Sequence, residues 1–218
     1  MDIDFYFLHL EGMDLAGKSS VAKAIKEKCG LDWQINNNKL CDKNIIYQFI
    51  DNIAKHDLFD DEIYGNLYYT ALLADLKKFE LSSNIIQDST ILLRSINYHT
   101  ELGNTKLAKK FEELIEFHPV PTYSFYLTAD INSRIDRLVK RMKLNQKEIS
   151  KNDYLILQNP EKFKEADIRL FELSSRCFNS ILIDTTNLTI EEVADYIIDY
   201  CKLEKKCLVK KLKKCNKD

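Results

Sequence analysis

Short apolar runs alternate with amphipathic stretches along the whole chain. Runs rich in strand-forming residues predict five strands, at residues 5–10, 31–35, 84–88, 123–128 and 181–184. Between them, apolar residues recur at helical spacing and predict helices over 19–29, 43–55, 60–81, 89–102, 105–117, 130–144, 160–178 and 189–201. Strands that alternate with helices predict an α/β fold, in which a five-stranded parallel sheet carries helices on both faces.

The carboxyl ends of these strands predict where a ligand binds. In an open parallel sheet the ends lie along one edge, and ligands bind in the crevice beside it. The strands end near residues 10, 88, 128 and 184. We therefore expect the glycine loop after the first strand, Asp88 and Asp184 to share one rim.

Residues 12–19, here called the phosphate loop, read Gly-Met-Asp-Leu-Ala-Gly-Lys-Ser and fit G-x-x-x-x-G-K-[ST] between a strand and a helix. Glycines let the backbone N–H groups converge, and a helix N-terminus adds partial positive charge. Lys18 can reach the β- and γ-phosphates of a nucleotide, and the Ser19 hydroxyl can ligate Mg²⁺. The alternative is a strand-turn-helix in which the glycines only allow the chain to turn and no phosphate is bound. The predicted phosphate-binding residues are Gly12, Asp14, Ala16, Gly17, Lys18, Ser19 and Ser20.

Composition excludes several classes of protein. The 218 residues carry a net charge of −2, so nucleic acid is not an expected partner of the main body. The N-terminus lacks a signal-peptide pattern, and no apolar run approaches the length of a membrane span. Six scattered cysteines indicate thiols in a reducing cytosol, so the predicted location is cytoplasmic. Lysines crowd residues 203–218, which predicts a solvated tail, with contact to RNA or an anionic surface as the alternative.

The stretch from Glu11 to Ser19 closely resembles the phosphate loop of the thymidylate kinase family. Further stretches are similar to that family's motifs and follow in the same order over residues 5–200. They are Ala74-Asp75 in the long helix, Asp88 at a strand end, Ser95 to His99, Tyr126-Leu127 followed by Arg137 and Arg141, and 184–193.

The resemblance implies a P-loop kinase domain over residues 1–202 with a helical lid at about 141–154, followed by the tail at 203–218. It also implies ATP and Mg²⁺ as cofactors, a small-molecule phosphoryl acceptor, and a homodimer packed through the helices near 43–80. In the family, the last strand and loop border the adenine, which points to Thr185 and Asn187.

The resemblance also implies catalytic roles. Asp88 would hold Mg²⁺ through water or orient the acceptor, although an Asp here could instead cap the following helix. Arg137 and Arg141 are one helical turn apart, so both guanidinium groups can face one phosphate cluster. The alternative is a solvated helix face shared with Arg134, Lys140 and Lys143. The phosphate loop has no arginine at its variable positions, so the transition-state cation would come from the lid, which offers Arg141, Lys143, Lys147 and Lys151. Asp14 would contact the acceptor's sugar hydroxyl, or would be an exposed turn residue.

The chain departs from the family on the acceptor side. Where the family has D-R-Y, the sequence has Ser89 in place of the arginine that grips the acceptor phosphate, and Arg94 is the candidate replacement. Leu72 replaces the aromatic that stacks on thymine, and Leu76 replaces an arginine that reads the base. These departures argue against thymidine monophosphate. The predicted acceptor-binding residues are Asp14, Leu72, Asp88, Arg94 and Tyr98.

Three functions follow from these observations. The first is ATP-dependent phosphoryl transfer to a nucleoside monophosphate or a related small molecule. The second is a kinase for a nucleoside or another hydroxyl compound, in which Asp88 acts as the base. The third is a non-catalytic ATP- or GTP-binding module, although the sequence has no N-K-x-D guanine signature near a strand end.

Overall fold

The computed structural model describes residues 5–203 apart from 31, 42, 57 and 146–150. Within these ranges, five strands form one parallel sheet in the order β2-β3-β1-β4-β5, which confirms the predicted fold class. The first strand is therefore central, and its carboxyl end is flanked by those of β3 and β4. The strands are β1 (Phe7–Glu11), β2 (Trp33–Asn37), β3 (Asn84–Asp88), β4 (Tyr123–Thr128) and β5 (Ile181–Asp184).

Helices connect the strands and cover both faces of the sheet. Their caps are encoded locally: Thr189 forms a capping box with Glu192, and Asp60 caps a helix through the Ile63 amide. The helices are α1 (Lys18–Cys29), α2 (Ile45–Ala54), α3 (Asp61–Leu76), α4 (Ile91–Glu101), α5 (Thr105–Glu112), α6 (Ile131–Asn145), α7 (Lys151–Gln158), α8 (Pro160–Phe178) and α9 (Ile190–Cys201), with a 3₁₀ turn at Ile115–Phe117.

Two apolar clusters pack on opposite faces of the sheet. Leu8 and Leu10 of β1 belong to one cluster, which also contains residues of α1 and α9. Phe7 belongs to the other, which contains residues of α3, α4, α5 and α8. Because alternate residues of a strand point to opposite faces, β1 is buried on both sides and fixes the position of the loop that follows it.

His9 is the polar residue in the middle of β1, and it is fully buried. Its Nδ1 lies 2.8 Å from the Ser124 Oγ atom, and its Nε2 lies 3.6 Å from Glu11 Oε2. Ser124 thus satisfies one ring nitrogen, while Nε2 has no hydrogen bond within the described residues.

Several predictions fall at or beyond the edges of the described chain. No helix among the described residues is long and apolar enough to cross a membrane. Leu203 is 8% exposed and belongs to the cluster under α9, so the folded part extends at least one residue beyond the predicted boundary at 202. Residues 204–218 of the predicted tail and 146–150 of the predicted lid lie outside the described residues.

Candidate active site

The phosphate loop leaves the carboxyl end of β1 and leads directly into α1. Gly12 has φ +141°, and a Cβ atom there would lie 2.1 Å from the Leu127 carbonyl oxygen of the neighbouring strand, so only glycine fits. Gly17 has φ +97° and precedes the first turn of α1. The two glycines of the motif are therefore required by the path of the backbone.

Side chains from four separate parts of the chain hold the carbonyl oxygens of the phosphate loop. Each of five consecutive carbonyls accepts one hydrogen bond, and four of the five donors are cationic groups. We call these donors the carbonyl collar: Arg94 Nη2 to Gly12 O, Lys18 Nζ to Met13 O (3.1 Å), Arg134 Nη1 to Asp14 O (2.6 Å), Arg137 Nη1 to Leu15 O (3.0 Å) and Thr185 Oγ1 to Ala16 O (3.1 Å).

The carbonyl collar has a consequence for anion binding. The C=O and N–H groups of a trans peptide point in opposite directions. A carbonyl that is held by the collar therefore turns the N–H group of the next residue to the other side of the loop. The Met13 N–H group donates to Asp167 Oδ1. The N–H groups that follow it in the loop can converge into an anion-binding concavity, to which the N-terminus of α1 adds positive potential.

Lys18 is the buried cation of the loop, with 8% of the residue exposed. Burial, together with the nearby Arg94 charge, lowers the pKa of Lys18 to about 8, while Asp14, Asp88 and Glu11 act in the opposite direction. An anion that arrives beside this ammonium group would favour its charged form. The site is thus electrostatically prepared for a polyanionic ligand.

Ser19 and Asp88 meet where α1 begins and β3 ends. The Ser19 hydroxyl donates a hydrogen bond to Asp88 Oδ2, and Asp88 is 5% exposed. Thr90, rather than Asp88, caps α4 by accepting a hydrogen bond from the Leu93 amide at 3.1 Å. The carboxylate is therefore not used as a helix cap, and its contact with the Ser19 hydroxyl brings together two hard oxygen ligands of the kind that Mg²⁺ prefers. Among the described residues no cluster of three or more His, Cys, Asp or Glu side chains suits a metal ion.

Glu11 and Arg94 form a buried pair behind the loop. Arg94 Nε donates to Glu11 Oε1 at 3.0 Å, and the Thr90 amide donates to Glu11 Oε2 at 3.1 Å. Burial alone would raise the pKa of Glu11, but Arg94, His9 and Lys18 outweigh it and lower the pKa to about 2. Glu11 is thus held as a carboxylate, and it fixes the direction of the Arg94 side chain.

The Arg94 side chain lies beside Ser89, the position at which the family resemblance implies an arginine. Its Nη2 lies 3.3 Å from the Ser89 Oγ atom, and its Nη1 lies 3.7 Å from Asp14 Oδ1. About a quarter of the side chain is exposed (24%). The structure therefore brings Arg94 close to Asp14 and to Ser89, the residue that follows Asp88.

Arg137 lies on the other side of the loop, between it and the segment that follows β5. Its Nη1 contacts Leu15 O and Thr185 Oγ1, both at 3.0 Å, and its Nη2 donates to Thr185 O at 2.6 Å. Burial and the nearby Arg134 lower the pKa of Arg137. Thr185 is buried, Asn187 is exposed, and Arg141 is half-buried one turn further along α6. Arg137 thus links the phosphate loop to the predicted adenine border.

Leu72 and Tyr98, two of the predicted acceptor residues, have contacts away from the phosphate loop. Leu72 is 2% exposed and packs in the core. Tyr98 is 46% exposed, and its hydroxyl donates to Asp61 at the start of α3 at 2.8 Å. The contacts that the structure gives these side chains serve the packing of α3 and α4.

Sequence reasoning missed the buried pair of Arg134 and Asp167 beside the phosphate loop, and it named Asp75 only as part of a family-like motif. Arg134, which the charge pattern could place on a solvated face, is fully buried and pairs with Asp167 Oδ2 of α8 at 2.8 Å. Asp75 accepts hydrogen bonds from the Leu40 amide at 3.1 Å and the Asn44 side chain at 2.7 Å, so it anchors the loop after β2. A carboxylate inside an apolar helical stretch was the available signal for Asp75; Asp167 had none.

Comparisons with known proteins agree with this architecture. No family model matches the chain. The protein named "Probable thymidylate kinase" from Methanocaldococcus jannaschii is 26% identical, over 92% of this chain and 97% of that protein. The cytidylate kinase of Thermotoga maritima is 22% identical, over 87% of this chain and 93% of that enzyme.

Two solved structures share the fold. Thymidylate kinase from Candida albicans superposes with a TM-score of 0.63 at 16% identity, over 91% of this chain and 92% of that one. Deoxyadenosine kinase from M. mycoides, solved with bound dCTP, superposes with a TM-score of 0.57 at 18% identity, over 89% of this chain and 98% of that one. The chain thus has the fold of these nucleotide kinases, and its sequence is distantly similar to those of thymidylate and cytidylate kinases.

Proposed function

We propose that the protein transfers the γ-phosphoryl group of ATP to a nucleoside monophosphate or a related small molecule. The observation that carries the proposal is the phosphate loop with its carbonyl collar, in which Lys18, Ser19 and Asp88 meet at the carboxyl ends of β1 and β3. Its distant relatives are named as thymidylate and cytidylate kinases.

The donor side of the proposed site consists of the phosphate loop, Arg137 and Thr185. Lys18 neutralises the β- and γ-phosphates, and the loop amides bind their oxygens. Ser19 and Asp88 are the residues that would hold Mg²⁺, which neutralises charge on the phosphates when it is bound. Arg137 joins the loop to Thr185 and so aligns the phosphate and base ends of the nucleotide.

The acceptor side consists of Asp14, Asp88, Ser89 and Arg94. An acceptor oxygen attacks the γ-phosphorus in line, the bond from phosphorus to the β-phosphate oxygen breaks, and ADP leaves. Asp88 lies at this end of the loop, where it would orient the acceptor; it is needed as a base only if the acceptor attacks through a hydroxyl group. Arg94 supplies the cation that the family has at position 89, and Glu11 fixes its orientation.

A second candidate is a kinase for a nucleoside or another uncharged hydroxyl compound. Its support is the charge around Arg94, which already faces Glu11 at 3.0 Å and Asp14 at 3.7 Å. A phosphate dianion that binds Arg94 has to compete with these carboxylates, whereas a neutral acceptor does not. The fold shared with a deoxyadenosine kinase is compatible with this alternative.

An acceptor screen separates the candidates. Purified protein is mixed with ATP and Mg²⁺ and with each of the common nucleosides and nucleoside monophosphates, and ADP release is recorded. We expect release that depends on a monophosphate, whereas release with nucleosides only would select the second candidate. Nucleotide binding without release in any mixture would contradict both and leave a binding module.

The proposed homodimer has support from α2 and α3. Large apolar side chains on and between these helices are exposed, as expected of a contact surface. They include Ile45 (74%), Phe49 (52%), Phe59 (40%) and Ile63 (42%). Light scattering after size-exclusion chromatography is expected to give the mass of a dimer, and Phe49→Glu is expected to give that of a monomer.

A further inference from the structure

The Asp167 carboxylate collects hydrogen bonds from three different parts of the chain. Its Oδ1 accepts from the Tyr126 hydroxyl at 2.6 Å and, at a longer 3.4 Å, from the Met13 amide of the phosphate loop. Its Oδ2 accepts from Thr128 Oγ1 and from Arg134 Nη2, both at 2.8 Å. Each oxygen thus binds one side chain of β4. The second partner is the phosphate loop itself for Oδ1 and Arg134, which contacts the loop, for Oδ2.

Burial makes this arrangement rigid. Arg134 is fully buried, and its guanidinium lies 5.0 Å from the centre of the Phe163 ring. Burial and the Asp167 charge raise the pKa of Tyr126, so its hydroxyl stays a donor. The Arg134 guanidinium also donates to Ala129 O at 2.8 Å and to Thr128 Oγ1 at 3.1 Å, and Asp167 supplies the carboxylate that a buried guanidinium needs.

Asp167 acts on two consecutive residues of the loop. It accepts from the Met13 amide directly, and it orients Arg134, whose Nη1 donates to the Asp14 carbonyl at 2.6 Å. The Asp14 carboxylate in turn lies 3.7 Å from Arg94 at the acceptor end of the site. The contacts therefore run from α8 through α6 to the part of the loop that separates donor from acceptor.

We propose that Asp167 is a positioning residue, which fixes Met13 and Asp14 against α8 and thereby sets the geometry of the phosphate loop. Its catalytic meaning rests on the proposed function. The alternative role for Asp167 is a plain structural ion pair, which would stabilise the whole domain without a special effect on the loop. The two roles differ in which backbone amides lose protection from exchange when the Asp167 carboxylate is replaced.

Hydrogen–deuterium exchange on the full-length chain, without nucleotide, tests the positioning role. In Asp167→Asn one carboxylate oxygen becomes an NH₂ group that faces donors, and the charge opposite Arg134 is lost. We expect at least about tenfold faster exchange in peptides covering residues 11–20, with exchange over 190–201 unchanged. Thr128→Val is the matched control: it removes a hydroxyl that contacts both Asp167 and Arg134 but keeps their charge pair, so exchange should stay close to that of the wild type.

A second variant keeps the proposal testable if Asp167→Asn folds poorly. The double change Asp167→Asn with Arg134→Gln leaves no unpaired buried cation, and it should show the same selective loosening over 11–20. A uniform rise in exchange, or none over 11–20, would overturn the positioning role. The proposed function fails by a different result, the absence of phosphoryl transfer by the wild type, so the two failures are distinguishable.

Discussion

The two halves of the candidate site are built differently. On the donor side, a contiguous motif supplies the loop, and the collar residues Lys18, Arg137 and Thr185 hold it. On the acceptor side, Arg94 reaches Ser89 from a full turn further along α4, while Leu72 is in the core. The donor loop is therefore a contiguous motif that distant side chains hold in place, whereas the acceptor side carries its arginine at a position that the family motif does not contain.

This difference explains how a chain can keep one function of a fold and alter another. The loop must wrap closely around phosphates, so its glycines and lysine tolerate little change. An acceptor can be bound by cations that come from several directions. In the proposed site, Arg94 places a positive charge beside Ser89, the position at which the family resemblance implies an arginine.

The largest effect is expected from Lys18→Ala on the donor side. The change removes the buried ammonium group that neutralises the transferred phosphates, and we expect the rate of phosphoryl transfer to fall about 1,000-fold. Circular dichroism should show an unchanged fold. Lys28→Ala, at the other end of α1, removes a surface pair with Glu191 and Asp195 and should leave the rate within about twofold.

Glu11→Gln tests the acceptor side by removing the carboxylate that pairs with Arg94. The change leaves Arg94 without its closest carboxylate, and we expect a loss on the order of 2 kcal/mol in unfolding free energy, below the cost for a fully buried pair because Arg94 is partly exposed. Urea titration at pH 7 measures the loss. An unchanged midpoint would show that the pair does not hold the site together.

The same pair predicts a pH dependence. The pKa of Glu11 is about 2 in the folded protein, below its ordinary 4.5, so its contribution is complete above pH 4.5 and is lost as the pH falls toward 2. The difference in unfolding free energy between wild type and Glu11→Gln should therefore shrink over that interval. A constant difference would contradict the assignment.

Arg137→Ala tests the link between the two ends of the donor. The sequence predicts that Arg137 stabilises the transition state, so its removal should lower kcat far more than it lowers the affinity for ATP. The contacts with Leu15 and Thr185 predict in addition a ground-state role, with ATP Kd raised about tenfold. Calorimetric titration with ATP and Mg²⁺ gives Kd, and a drop confined to kcat would exclude the linking role.

The smallest effect concerns the titration of Lys18. Because its pKa is lowered to about 8, kcat/KM for ATP should decline above that pH as the free enzyme loses the ammonium charge. Asp14 raises the pKa of Lys18, so Asp14→Asn should move the decline to lower pH. A decline at the same pH in both proteins would remove Asp14 from the electrostatics of the loop.

Much of the fold could be predicted from the sequence because the signals are local. The predicted bounds of β3, β4, β5 and α8 agree with the structure. The helix predicted over 60–81 ends at Leu76, since a helical pattern of apolar residues does not by itself mark the last turn. The phosphate loop was equally predictable, because its chemistry lies within eight consecutive residues.

The remainder of the site depends on pairs far apart in the chain. In the sequence, Arg134 looks like one of several cations on a basic helix. Its burial cannot be foreseen without its partner Asp167, which lies 33 positions later. Asp88 precedes a helix and reads as a possible cap until Thr90 is seen in that role. Spacing within one element cannot reveal such partners, because they meet only after the sheet has formed.

The most direct test of phosphoryl transfer is to identify its product. Wild type and Lys18→Ala are incubated with ATP, Mg²⁺ and a mixture of nucleosides and nucleoside monophosphates, and each compound is followed by mass spectrometry. The account predicts that one class of acceptor gains a phosphoryl group in the wild-type reaction, with an equal amount of ADP, and not with Lys18→Ala. ADP without a phosphorylated acceptor, or equal products with both proteins, would contradict it.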